Sequence, residues 1–447
     1  MTATCGPAPL PGAPAGGWHR RVWVLAGPIM LSNMTTPLLG AVDTAVVGQL
    51  PDAAYIGGVA IGAIVFSFLF WGFGFLRMGT TGFTAQAYGA GDHDELRATL
   101  LRPLVLALGF GALLIALRAP IGILAFELLE ASPEVEALAA SYYQIRIWSA
   151  PAALVNYTVL GWLLGTQRAR TALVLQVALN GVNVVLDLAF VIGLGWGVEG
   201  VALASLIAET GAAALGIAVV GRILARSGGR WDWARLRRRD RVVALFRVNL
   251  DIFLRTLALV VAFGYFTAQS AKMGDVTLAA NAILLHLQTI MAYGLDGFSH
   301  AAEILAGGAL GARSRPAFQG AVRAATIWGF GTAVLVALAY AALGPALIEL
   351  FTVLPEVRTT AEAFLPWMIL SPLVSVWSFL LDGIFIGTTR TAAMRNAMAV
   401  SLLAYLGACW LLVPALGNHG LWLAFTLFMA VRAITLAVVY PRLLRDI

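Results

Sequence analysis

Asp43 lies in the second half of a long, mostly apolar run, residues 22–49, VWVLAGPIMLSNMTTPLLGAVDTAVVGQ. An ionisable group at the centre of a membrane span costs roughly 2.5–3.5 kcal/mol on insertion scales, so such a residue marks a proton or cation site unless packing explains it. Further along, Asn180, Asn183 and Asp187 fall in one apolar stretch and Ser205 and Glu209 in the next. Asn183 and Asp187 are four apart, as are Ser205 and Glu209, so each pair stacks on one face of a helix. Carboxylates sharing a dry cavity cannot all ionise cheaply, and at least one is expected to hold a proton at the working pH. Carboxylate and amide oxygens together suit either a proton relay or a cage for a hard cation. Interhelical hydrogen bonding of about 0.6 kcal/mol per contact accounts for Asn180 or Ser205 singly but poorly for Asp187.

The second half of the chain carries a different set. Asp251 and Arg255, again four apart, read as an internal ion pair at the start of the seventh span. Asp296, His300 and Glu303, at i, i+4 and i+7, form a polar stripe at the end of the eighth, which a solvated helix end explains as well as a gate does. Asp382 sits more centrally in the tenth, with no evident partner. No HExxH, GxSxG or P-loop pattern occurs, and the one lysine, Lys272, lies in a loop. Neither ATP hydrolysis nor a Schiff base is therefore expected, and coupling should draw on an ion gradient.

The elements that position these residues follow from composition. The chain has 447 residues, 60% hydrophobic and 12% charged, with mean hydropathy +0.85, which excludes a soluble globular domain. With about 20 apolar residues per span, it divides into about twelve transmembrane helices, near 22–49, 55–78, 99–118, 136–160, 170–193, 198–221, 243–270, 277–299, 320–343, 361–387, 393–413 and 419–439. Pro28 and Pro37 in the first span each remove a backbone donor and favour a bend. Residues 1–17 lack the positive n-region of a signal peptide and read as a disordered tail. Cys5 and Cys409 suggest neither a disulfide framework nor a metal site.

The net charge of +6 lies mostly in alternate loops. Arg20, Arg21, Arg97, Arg102, Arg168 and Arg170 mark one side, as do the run Arg235 to Arg241, Arg313, Arg315, Arg390, Arg395, Arg442 and Arg445. Under the positive-inside rule that side, with both termini, is cytoplasmic, so the basic run is a topology signal and no nucleic-acid partner is expected. The stretch 222–242, RILARSGGRWDWARLRRRDRV, has the composition of a linker at the midpoint.

That position prompts a search for a repeat, and one is present. AQAYGA (85–90) and GGALGA (307–312) align with Gly89 on Gly311, 311 − 89 = 222. The same offset pairs Gly72 with Gly294, Gly165 with Gly387, Thr166 with Thr388 and Arg168 with Arg390. An even number of spans per half gives two six-helix lobes of the same orientation, 18–221 and 243–447, related by a pseudo-two-fold axis along the membrane normal, an architecture of transporters.

The segments GPIMLSNMTTPLLGAVDTAVVGQL, AQAYGAGD, GWLLGTQRARTAL and GVEGVALAS together resemble the multidrug and toxic compound extrusion (MATE) transporters, in the bacterial branch related to DNA-damage-inducible protein F. The resemblance covers nearly all of residues 18–440. It implies a twelve-helix, two-lobed antiporter that exports cationic, amphipathic small molecules in exchange for protons or sodium. Such a protein works in the bacterial inner membrane as a monomer, with no cofactor beyond the coupling ion. Carried over, the coupling aspartate falls on Asp43, the fifth-helix pair on Asn183 and Asp187, the sixth-helix hydroxyl on Ser205 and the bending proline on Pro28. Asn180 completes the candidate proton or Na+ ligands. A fourth-helix tyrosine falls on Tyr142 or Tyr143. These tyrosines, with Glu209, Asp296, His300, Glu303 and Asp382, are candidates for substrate contact or gating. Ser205 stands where this branch commonly has Thr, and no clear match to the second-lobe acidic motif of the sodium-coupled branch is present, which favours protons. The alternative is a lipid-linked oligosaccharide flippase, which is expected to present embedded arginines to a pyrophosphate, whereas the embedded charges read here as mainly acidic. No metal or catalytic residue is expected.

Overall fold

The computed structural model describes residues 15–50, 52–129 and 131–445, and no strand occurs among them. The first half holds α1 (Ala15–Val47), α2 (Ala53–Gly72), α3 (Phe75–Gly89), α4 (His93–Ala116), α5 (Arg118–Leu129), α6 (Pro133–Arg146), α7 (Ala150–Gly165), α8 (Ala169–Asp187) and α9 (Gly197–Arg226). After the short α10 (Trp233–Leu236) come α11 (Arg239–Lys272), α12 (Asp275–Gly311), α13 (Arg315–Phe351), α14 (Pro355–Gly387), α15 (Thr391–Leu416) and α16 (Asn418–Arg445). Polar side chains start the helices: Asp52 accepts from Ala54 N–H (2.9 Å) before α2, and Asp92 from Glu95 N–H (3.0 Å) before α4. Pro133 and Pro355 open α6 and α14, at positions where a missing N–H costs no helical hydrogen bond.

Among the described residues eleven helical segments are long and apolar enough to cross a membrane. α1 lies outside that count, yet its 33 residues extend about 50 Å at 1.5 Å per residue, more than a bilayer core of about 30 Å. It covers residues 22–47 of the expected first span, 22–49.

The 222-residue repeat is built into the backbone. Left-handed residues recur at that offset as Gly91 (φ 66°) and Arg313 (φ 50°), and as Gln167 (φ 60°) and Thr389 (φ 55°). The close helix crossings recur as well. A Cβ on Gly161 would lie 2.5 Å from Arg77 O and one on Gly383 2.2 Å from Ser299 O; one on Gly165 would lie 2.9 Å from Thr81 O and one on Gly387 2.0 Å from Glu303 O. Glycine is required at these positions because two backbones meet there with no room for a side chain. The α3–α7 crossing of the first half is thus repeated as α12–α14 in the second.

The helices group into two compact units. One comprises Leu31–Leu245; the other comprises Phe246 onward together with α1 as far as Met30. α1 is therefore divided just after Pro28. In the second unit, the start of α1 is held by Trp18 against Gly320, by Trp23 edge-on to Phe298 and Trp328 (5.3 and 5.1 Å), and by Met30 against Gly297.

Residues 1–14 of the expected tail lie outside the described residues, and 15–17 already belong to α1. The stretch 222–242 is docked on α4: Arg102 donates to Arg235 O (2.7 Å), Arg235 pairs with Asp92 (2.8 Å) and Arg230 N–H donates to Asp94 (2.7 Å).

Candidate ion and substrate site

Asp187 ends α8, and a π-helical turn, Leu188–Gly193, follows it at once. Local π turns inside helices gather at functional positions because they re-aim the side chains on either side. Asp187 is fully buried, and Asn183, one turn earlier, donates to its Oδ2 at 3.0 Å. Asp43, near the end of α1, lies close enough to Asp187 for the two carboxyl groups to interact electrostatically. Oδ1 of each aspartate is buried without a donor. The structure thus brings the sequence-predicted residues Asp43, Asn183 and Asp187 together, with two carboxyl groups that ionise side by side only at a cost.

Arg146, the last residue of α6, is not among the residues that sequence singles out. It donates to the Tyr142 hydroxyl, places Nη2 3.8 Å from Glu209 Oε1, and lies over the rings of Phe66 (5.1 Å) and Tyr142 (5.5 Å). Its charge also acts on Asp43 and Asp187. Three carboxylates against one guanidinium leave a net charge of −2 when all are ionised. A net negative cluster of this kind raises the cost of ionising every acid in it.

The two candidate tyrosines lie in different surroundings. Tyr142 is fully buried in the charged cluster, and α2 approaches it so closely that a Cβ on Gly62 would lie 2.3 Å from its ring. Tyr143 instead donates to Arg118 O at 2.9 Å and packs against Phe126. Asn180 is buried, with its Oδ1 accepting from Gln176 (3.2 Å) and its Nδ2 unpartnered; Ser205 Oγ on α9 is likewise buried and unpartnered. Neither is hydrogen-bonded to the aspartates. Pro28 lies in continuous helix.

In the second unit three expectations change. Asp251 and Arg255 do not pair with each other. Asp251 accepts from Arg395 (2.6 Å) and Thr391 (3.0 Å), while Arg255 of α11 donates to Asp382 of α14. Asp382 also accepts from Arg432 of α16, so it has two partners, with Asp296 adding its charge nearby. The stripe Asp296, His300 and Glu303 is no solvated helix end: α12 continues to Gly311, Glu303 is fully buried, and its Oε2 is 2.9 Å from His300 Nδ1. The embedded charges are consequently not mainly acidic, because Arg146, Arg255 and Arg432 are all enclosed. One signal for them is present in the sequence, since these arginines lie well inside apolar stretches rather than at their ends.

The MatE family profile matches residues 28–189 and 252–411, most of the chain and both halves of the repeat. The chain belongs to the MatE family. It is 44% identical over 423 residues to DNA damage-inducible protein F of Escherichia coli (strain K12), covering 95% of this chain and 92% of that protein. It is 24% identical to multidrug resistance protein MdtK of Edwardsiella ictaluri (strain 93-146), covering 94% of each. A solved MOP superfamily transporter from Pyrococcus furiosus Vc1 shares the fold, with TM-score 0.86 and 20% identity over 100% of this chain and 99% of that one. The family is one of multidrug transporters rather than enzymes, acts on small molecules and needs no prosthetic group. This MatE chain is a multi-pass protein of the inner membrane.

Proposed function

We propose that this MatE protein is an antiporter that exports cationic, amphipathic small molecules in exchange for protons by alternating access, with both termini in the cytoplasm. The observation that carries the reading is the pair Asp43 and Asp187, each with a buried carboxyl oxygen that lacks a donor. A proton shared between them reduces the cluster charge from −2 to −1, and a substrate cation competes for the same carboxylates. Binding that differs between two states is what exchange requires, since a ligand that binds both equally shifts neither. The hinge is assigned to Pro28, which frees the Val24 carbonyl and stands two residues before the point where α1 passes from one unit to the other.

Protons are favoured over sodium because a hard cation gathers several oxygens around it, whereas Asn180 and Ser205 are not joined to the aspartates here. The flippase reading is weakened because each embedded arginine described above already faces acid: Arg146 faces Glu209, while Arg255 and Arg432 share Asp382 with the charge of Asp296 nearby. The test uses purified protein in liposomes and a fluorescent organic cation. An imposed pH gradient is expected to drive its efflux, and a sodium gradient alone is not. Efflux driven by sodium alone would reassign Asp43, Asn183, Asp187 and Ser205 as sodium ligands.

A further inference from the structure

The second unit contains a cavity of about 470 Å³ that the transport reading does not use. Its volume falls within the ~300–1,000 Å³ typical of small-ligand sites. Arg247 of α11 and Arg442 in the last turn of α16 line it, with Arg390 at the end of the α14–α15 turn beside them. Asp251 also lines it, yet that carboxylate is buried and occupied by Arg395 (2.6 Å) and Thr391 (3.0 Å), so it does not offset the rim. Thr391, Ala392 and Ala393 contribute the first turn of α15, a 26-residue helix that no side chain caps, and its N-terminal N–H dipoles add to the positive field. The remaining wall is apolar: Val248, Phe385, Val439 and Leu443.

The guanidinium groups of Arg247 and Arg442 and a helix start suit a phosphate, while an apolar wall beside them has no use for inorganic phosphate alone. We propose that this cavity holds the phosphate headgroup of an anionic phospholipid, with the adjoining acyl chain lying along Val439 and Leu443. The site belongs to the second half only. At the 222 offset Arg247 corresponds to Leu25 and Asp251 to Ile29, so the first half cannot form its equivalent. Basic pockets between transmembrane helices are established as a way of holding lipid headgroups.

The experiment titrates the purified full-length protein in detergent with phosphatidylglycerol and counts bound lipid by native mass spectrometry. Each arginine near a lipid phosphate is worth about fivefold in affinity, so R247A/R442A is expected to weaken the first phosphatidylglycerol adduct by about 25-fold. R222A/R226A removes the same charge from exposed positions on α9 and should leave that adduct unchanged. Val439→Trp fills the apolar wall without altering charge and is also expected to weaken it. Both arginine pairs are exposed, and unchanged thermal melts establish that the variants are folded. Equal losses in the two double variants, or no loss in R247A/R442A, would overturn the site. Displacement of the lipid by millimolar inorganic phosphate, with Val439→Trp inert, would reassign the cavity to free phosphate and overturn the lipid proposal.

Discussion

Replacing Arg146 with methionine separates the electrostatic role of this residue from its bulk. The substitution leaves the Glu209 carboxylate without the cation 3.8 Å away and the Tyr142 hydroxyl without its donor. Removing one member of a buried ion pair costs about 3–5 kcal/mol, mostly because the other charge is left enclosed. Glu209→Gln in the same background removes that charge and should recover much of the loss. A cycle of the two single variants and the double, followed by denaturation in detergent, is expected to show a coupling of about 2–3 kcal/mol. The transport pH profile supplies an independent sign. Arg146→Met takes the ionised cluster from −2 to −3 and favours protonated acid, so the profile moves to higher pH; Glu209→Gln takes it to −1 and moves the profile to lower pH. Additive losses in the cycle, or pH shifts of the same sign in both single variants, would refute the reasoning.

Three further outcomes are expected. Asp382→Asn strands Arg255 and Arg432 against each other and should lower stability by about 3–5 kcal/mol, with partial recovery on adding Arg432→Met; an unchanged melting curve would remove Asp382 from the structural framework. Gly62→Ala forces a methyl against the Tyr142 ring and should cost about 1–3 kcal/mol, relieved by Tyr142→Leu, as thermal melts can check. Pro28→Ala should spoil transport more than resting substrate binding, and spin labels along α1 should report different distances on the acid and alkaline sides of neutrality in the wild type. Identical distances in an active protein would exclude bending and leave relative motion of the lobes.

Much of the architecture is legible in the sequence because apolar run length and glycine placement are local properties of the chain. The Gly165–Gly387 match, read from letters alone, returns as two backbone crossings of the same kind. Asp43, Asn183 and Asp187 are legible for a related reason: polar groups in a span stand out against their surroundings. Charge partners are not legible, because a four-residue spacing says only that two side chains share a helix face. Asp251 and Arg255 share one, yet Arg395 and Asp382 on neighbouring helices offer each a better-placed partner. Arg146 escapes a reading by local spacing because its partner Glu209 lies on α9, more than sixty positions away. The polar stripe on α12 is misplaced by the bilayer ruler, which ends the span at residue 299, while the helix runs on to Gly311.

The central claim is that Asp43 and Asp187 carry the exchanged proton. It is tested most directly by loading proteoliposomes with a trapped pH indicator and imposing a gradient of the cationic substrate with no initial pH difference. Wild-type protein should move protons opposite to the substrate, and folded Asp43→Asn and Asp187→Asn proteins should move none. Proton movement at the wild-type rate in either variant would contradict the account.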